Sequence, residues 1–250
     1  MRKINTAFEN NKKALVSYVM VGDGGFEASL DYARFLIKSG IDLLELGMPF
    51  SDPAADGETI LNAGLRALKA KTTFKDVIRF AKIIKAETDI PMVVMTYLNP
   101  IYQFGFEKAC KLLSESGVQG LIIPDLPHEE SAEFKLVAEL YEMHIIPLIA
   151  LTTSERRVEQ IVKESEGFIY LVAVKGITGT QRPDLKEVTL MSHKIKKYTK
   201  TPVVAGFGIK SREDVLEFNK VVDGVVIASR FIDLREAGKM DEIKAIIGFL

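Results

Sequence analysis

The chain has 250 residues, 47% hydrophobic and 27% charged, with 33 Lys plus Arg against 34 Asp plus Glu. That is the makeup of a globular protein and excludes a disordered or collagen-like chain. A net charge of −1 with no basic stripe argues against a nucleic-acid partner, and no apolar run approaches the ~20 residues needed to cross a bilayer.

Charged residues near the N-terminus, Met1-Arg-Lys and later Lys12-Lys13, stand where a signal peptide would carry its apolar segment. A cytoplasmic protein is expected. Lys3–Asn10 reads as a short helix. Strands are then predicted over Leu15–Val21, Ile41–Leu46, Pro91–Tyr97, Gly120–Ile123, Ile145–Leu151, Gly167–Val172, Pro202–Gly206 and Gly224–Ile227, as short β-branched apolar runs. Helical periodicity follows each strand: Phe26–Ser39, Thr59–Lys69 with Phe74–Thr88, Phe106–Ser116, Glu130–Met143, Ser154–Glu164, Leu185–Tyr198, Arg212–Lys220 and Glu236–Leu250. The single cysteine, Cys110, lies at helical spacing among apolar residues and reads as a buried core thiol.

Eight strand–helix units of about 30 residues account for about 250 residues, the length of a (β/α)8 barrel. The expected fold is therefore α/β, a single-domain (β/α)8 TIM barrel over residues 1–250, with the N-terminal helix closing its bottom. A doubly wound sheet would show Gly-x-Gly-x-x-Gly after its first strand, but that turn reads Val21-Gly-Asp-Gly-Gly-Phe. In a barrel the chemistry belongs on the loops that follow the strands.

Glu45 ends the second strand among Leu43, Leu44, Leu46 and Met48. Strand alternation puts Leu43 and Glu45 on one side, and a carboxyl turned into an apolar barrel mouth has its pKa raised by desolvation. That suits a group that both gives and takes a proton, although a structural pairing with a barrel Lys or Arg fits the position too. The following loop carries Asp52, Asp56 and Glu58. Asp56 stands just before a helical run, so it is either a site carboxylate or a helix N-cap.

Gly176-Ile-Thr-Gly179, Gly206-Phe-Gly-Ile209 and Ala228-Ser-Arg-Phe231 follow strands six, seven and eight. Glycines let backbone N–H groups approach an anion, and the last two loops with a short helix are where this fold binds phosphate; each pair read alone is a plain turn. Tyr18, Tyr97, Tyr170 and Phe207 at strand ends wall a flat apolar pocket or simply pack the barrel. His128, His144 and His193 lack metal-ligand spacing, so no metal site is expected. Lys175 is either a Schiff-base lysine or a solvated rim residue.

On these residues the sequence resembles the tryptophan synthase alpha subunit family, most specifically through Leu44-Glu-Leu-Gly-Met-Pro-Phe-Ser-Asp-Pro-Ala-Ala-Asp-Gly. Val21-Gly-Asp, Asp125 with Glu129-Glu-Ser, Tyr170 with Gly176-Ile-Thr-Gly, and Gly206-Phe-Gly-Ile support it. The resemblance implies retro-aldol cleavage of indole-3-glycerol phosphate to indole and glyceraldehyde 3-phosphate, without metal or organic cofactor. It implies that Glu45 is the acid/base and that Asp56 holds the indole N–H. Substrate-binding positions would be Tyr18, Ile60, Tyr97, Asp125, Tyr170, Thr178 and Phe207, and phosphate-binding positions Gly179, Phe207, Gly208 and Ser229. The loop with Thr178 and Gly179 matches a mobile lid.

The resemblance also implies a beta subunit that carries pyridoxal phosphate and receives indole, in an assembly of two alpha on two beta. The loops around Phe50–Gly57 and Leu98–Gly105 match the contact surface. Several positions depart from the pattern: Ala228 stands where Gly is common, Tyr18 where Phe is common, and Val174 and Lys175 where Arg and Ser are common. Arg230 follows Ala228 and Ser229 and is expected to add a charge-assisted phosphate contact.

Overall fold

The computed structural model describes residues 4–173, 184–206 and 208–248. Nine parallel strands form one sheet: β1 Ala14–Met20, β2 Leu43–Gly47, β3 Met92–Met95, β4 Val118–Ile122, β5 His144–Ile145, β6 Leu148–Ala150, β7 Ile169–Val172, β8 Val203–Gly206 and β9 Gly224–Ile227. Around them lie α1 Phe26–Lys38, α2 Glu58–Lys69, α3 Phe74–Glu87, α4 Leu98–Phe104, α5 Phe106–Glu115, α6 Ala132–Glu139, α7 Glu155–Val162, α8 Leu185–Lys196, α9 Arg212–Phe218, α10 Ser229–Glu236 and α11 Met240–Ile247.

The strand order β5-β4-β3-β2-β1-β9-β8-β7-β6 places two consecutive pieces of chain at the two ends of the sheet. Those pieces are the expected strand Ile145–Leu151, which is split because Pro147 has no N–H to give to a ladder. The ring still closes across the split. Ile146 N–H donates to the Leu121 carbonyl at 2.8 Å on one side, and Tyr170 N–H donates to the Pro147 carbonyl at 2.9 Å on the other. The eight barrel positions predicted from the sequence are thus filled.

Alternate strand residues fill the interior: Val16, Leu43, Val93, Ile122, Ile146, Phe168, Tyr170, Val204 and Val226 form one buried cluster. Ile4 and Ala7, at 1% and 4% exposure, join it from a 3-10 segment over Ile4–Asn11, so the N-terminal segment closes the barrel bottom. The outward strand residues pack against the helices in a second, larger cluster that includes Cys110. Burying each such aliphatic side chain contributes about 1.5–3 kcal/mol.

Three helical expectations are corrected. Leu98–Phe104 is a helix, not a loop, because Pro100 falls in its first turn, where a missing N–H costs nothing. The expected helix Glu236–Leu250 is instead α11 alone, separated from α10 by Gly238 at φ +69°. Helix α6 starts later and stops earlier than Glu130–Met143; a left-handed Glu142, φ +55°, turns the chain so that Met143 is buried.

Two polar devices fix the loops at the mouth. Asp23, 3% exposed, binds Arg66 of α2 at 2.6 and 3.1 Å and Arg235 of α10 at 3.4 Å, tying the loop after β1 to both helices. At α9, Ser211 and Asp214 form a capping box, and Asp214 also accepts the Lys210 N–H at 3.0 Å, which holds the loop after β8.

Candidate active site

Glu45 is the third of the five residues of β2, in register with Tyr18 of β1 and Val93 of β3. All three share the inward face. Room for this arrangement comes from glycine: a Cβ on Gly47 would collide with the Tyr18 ring, and one on Gly206 would lie 2.6 Å from Tyr170 Cζ. Gly206→Ala is expected to cost about 1–3 kcal/mol through overpacking and to displace Tyr170 from the site. Urea unfolding together with KM reads both effects; unchanged values would sink this account.

A cleft of about 860 Å³ opens at the C-terminal ends of the strands. Tyr18, Glu45, Asp56, Ile60, Tyr170, Gly208, Ser229 and Arg230 line it, as do Thr59, Met95, Ile209, Lys210, Val226, Ala228 and Asp233. The sequence reading did not single out Met95 and Val226, although alternation with Val93 and Gly224 carries the signal. It also missed Thr59 and Asp233, which hydrogen-bond at 3.0 Å and join α2 to α10 beside the cleft. A second hollow, lined by Ala54, Ala55, Ile122, Leu148, Ala150 and Val172, shares Met95 and Tyr170 with the first.

Glu45 is 1% exposed, and its Oε2 has no hydrogen-bond partner among the described residues. Burial, with a smaller effect of the Asp56 charge, pushes its carboxyl up to about 8. Asp56 Oδ1 is also buried without a partner among the described residues. Burial raises Asp56 to about 6, opposed by a hydrogen bond from Tyr97. The helix-cap alternative for Asp56 is not met, since Gly57 is the N-cap of α2. Two carboxyls with different environments therefore share one cleft and separate in acidity. Asp52 and Glu58 are exposed and do not line it.

Tyr97 does not line the main cleft; its hydroxyl accepts the Ala55 N–H at 2.9 Å and binds Asp56, and its ring stacks on Phe50 at 5.3 Å. It braces the loop that carries Asp56. Asp125 accepts the Leu98 N–H at 2.8 Å and so anchors the start of α4. The Tyr18 hydroxyl finds Met20 Sδ at 3.8 Å, a weak acceptor suited to an apolar wall. Burial drives the pKa values of Tyr18 and Tyr170 well above the ordinary tyrosine value, so both stay neutral. Thr178, Gly179 and Phe207, together with Val174, Lys175 and the rest of the expected lid, lie outside the described residues. Among the described residues no three His, Cys, Asp or Glu side chains gather to hold a metal ion, and no helix is long and apolar enough to cross a membrane.

The family model for the tryptophan synthase alpha chain matches residues 4–247. A tryptophan synthase alpha chain from Bacillus cereus (strain B4264) is 44% identical over 247 residues, covering 99% of this chain and 96% of the relative. A solved structure from Aquifex aeolicus VF5 superposes with a TM-score of 0.91 at 37% identity, covering 99% and 96% of the two chains. Mycobacterium tuberculosis tryptophan synthase gives 0.90 at 29% identity, covering 99% of this chain and 94% of that one.

Proposed function

The chain belongs to the tryptophan synthase alpha chain family and is a lyase that cleaves indole-3-glycerol phosphate to indole and glyceraldehyde 3-phosphate; from that premise we propose that Glu45 and Asp56 perform the chemistry. The observation that carries this reading is the shared cleft, in which one carboxyl is raised to about 8 and the other to about 6. Near neutral pH, Glu45 is then protonated and Asp56 ionised.

Protonated Glu45 gives its proton to the indole ring carbon that bears the side chain, leaving a positive charge delocalised to the ring nitrogen. Asp56 accepts the N–H hydrogen bond and stabilises that charge, where a low-dielectric wall makes it most effective. Glu45, now a carboxylate, removes the proton of the side-chain hydroxyl. Those O–H electrons form the aldehyde carbonyl, the carbon–carbon bond breaks, and its electrons restore the ring double bond. Glu45 ends protonated, as it began. The proton budget closes on this one side chain, so the reaction as drawn uses no cofactor of the alpha chain.

Ile60, Tyr18 and Tyr170 hold the flat ring, and Gly208 with Ser229 receives the phosphate. Tyr97 and Asp125 act on substrate indirectly, by bracing the Asp56 loop and α4. Thr178 and Gly179 serve as the lid that excludes water, and Gly179 and Phe207 complete the phosphate cradle. We read residues 1–250 as one catalytic domain working in the cytoplasm. Indole passes to a pyridoxal-phosphate beta subunit, in a complex of two alpha and two beta chains that docks on Phe50–Gly57 and on α4, where Tyr102 is 66% exposed.

The test follows release of indole and glyceraldehyde 3-phosphate from indole-3-glycerol phosphate, with and without the beta subunit. The chain contains no Trp, so indole fluorescence reports substrate and product only. Cleavage accelerated by the beta subunit is expected; no cleavage with a matched beta subunit overturns the assignment.

A further inference from the structure

Arg230 is the second residue of α10 and lines the cleft beside Ser229 and Gly208. Its Nε is buried and has no hydrogen-bond partner among the described residues. A buried guanidinium N–H without an acceptor is costly, and it marks a position where an acceptor belongs. The other end of the side chain is held loosely: Nη2 reaches Glu242 Oε2 of α11 at 3.2 Å, between side chains 36% and 44% exposed.

Glu242 does not depend on that bond. Lys239 Nζ lies 2.7 Å from its other oxygen, and Lys239 rather than Arg230 is the main cause that lowers the pKa of Glu242. A half-exposed arginine–carboxylate bond of this length contributes little, so releasing it is cheap, and Glu242 stays neutralised after release. Lys210, exposed and without an ion pair among the described residues, adds positive charge on the same side of the cleft. Asp233, the acid on that wall, is engaged by Thr59.

We propose that Arg230 is a binding residue for the substrate's phosphate, its guanidinium leaving Glu242 to Lys239 and turning its unpartnered Nε–H to a phosphate oxygen. This rests on the phosphate lying against Gly208 and Ser229. A planar guanidinium donating to phosphate makes a charge-assisted hydrogen bond, stronger than those from the backbone N–H groups at the start of a helix. The contact exists equally in substrate and transition state, so its loss falls on KM.

In the complex with the beta subunit, Arg230→Met keeps the aliphatic stem and removes the charge. It is expected to weaken glycerol 3-phosphate binding and to raise KM for indole-3-glycerol phosphate by about tenfold or more. The affinity of indole, which has no phosphate, is expected to stay unchanged, a split that a merely structural role would not produce. Arg230→Lys is expected to recover part of the loss. Equal glycerol 3-phosphate affinity in wild type and Arg230→Met overturns the proposal. Should that variant fail to fold, Arg230→Lys answers the same question: a lysine keeps the charge but has no Nε–H to give, so it is expected to bind glycerol 3-phosphate more weakly than wild type, and equal affinity overturns the proposal. Wild-type protein that binds glycerol 3-phosphate through Arg230 yet never cleaves substrate would sink the reaction and leave this contact standing.

Discussion

Glu45→Gln is expected to lower indole release from indole-3-glycerol phosphate by at least about 10³-fold, because the variant loses both the acid and the base of the cycle. An amide is the same size as the carboxyl, so the fully buried position stays filled and substrate still binds. A fall in kcat with KM little changed is the signature of a group used in the transition state. Retention of more than a tenth of wild-type kcat would remove Glu45 from the mechanism.

The same variant is expected to change how stability depends on pH. The folded-state pKa of Glu45, about 8, lies above its ordinary value of 4.5. Below about 4.5 the carboxyl is protonated in both folded and unfolded chains and costs nothing. As pH rises, the unfolded chain ionises first, so stability is lost progressively until pH passes about 8. Between pH 4.5 and 7 wild type is expected to lose on the order of 3 kcal/mol relative to Glu45→Gln, which has no proton to release. Parallel stability curves for the two proteins across that range would show that Glu45 is not held protonated by burial. The acid is thus kept at a standing cost to stability, which is why such a residue at a strand end signals function.

That signal was legible in the sequence because strand period is short and strict: Leu43 and Glu45 must share a face, and the apolar neighbours leave only the interior. The eight barrel positions were legible for the same reason. Pro147 divides the fifth strand because a missing donor interrupts pairing while the apolar pattern runs on. Helix α4 was hidden by Pro100, which reads as a breaker unless its place in the first turn is known. Asp56 could be read two ways, and only the backbone at Gly57 decides, since the cap is set by dihedral angles and not by residue type. The Tyr97 hydroxyl and the Arg230–Glu242 pair join elements distant in sequence, so no local pattern announces them.

Asp56→Asn is expected to cost about 10²–10³-fold in kcat, the range found when a group aimed at developing charge is removed. The more discriminating result is the pH profile of kcat/KM. In wild type, activity needs Asp56 ionised and Glu45 protonated, so the profile is a bell with limbs near 6 and near 8. The Asp56 charge is one of the two causes that raise Glu45. Removing it eliminates the acid limb and lets Glu45 ionise more easily, so the alkaline limb moves to lower pH. The two limbs belong to the pair, and the variant separates them. Activity lost with both limbs in place would mean that Asp56 serves the fold of its loop, whereas loss of the acid limb with an acid-shifted alkaline limb ties its charge directly to the proton on Glu45.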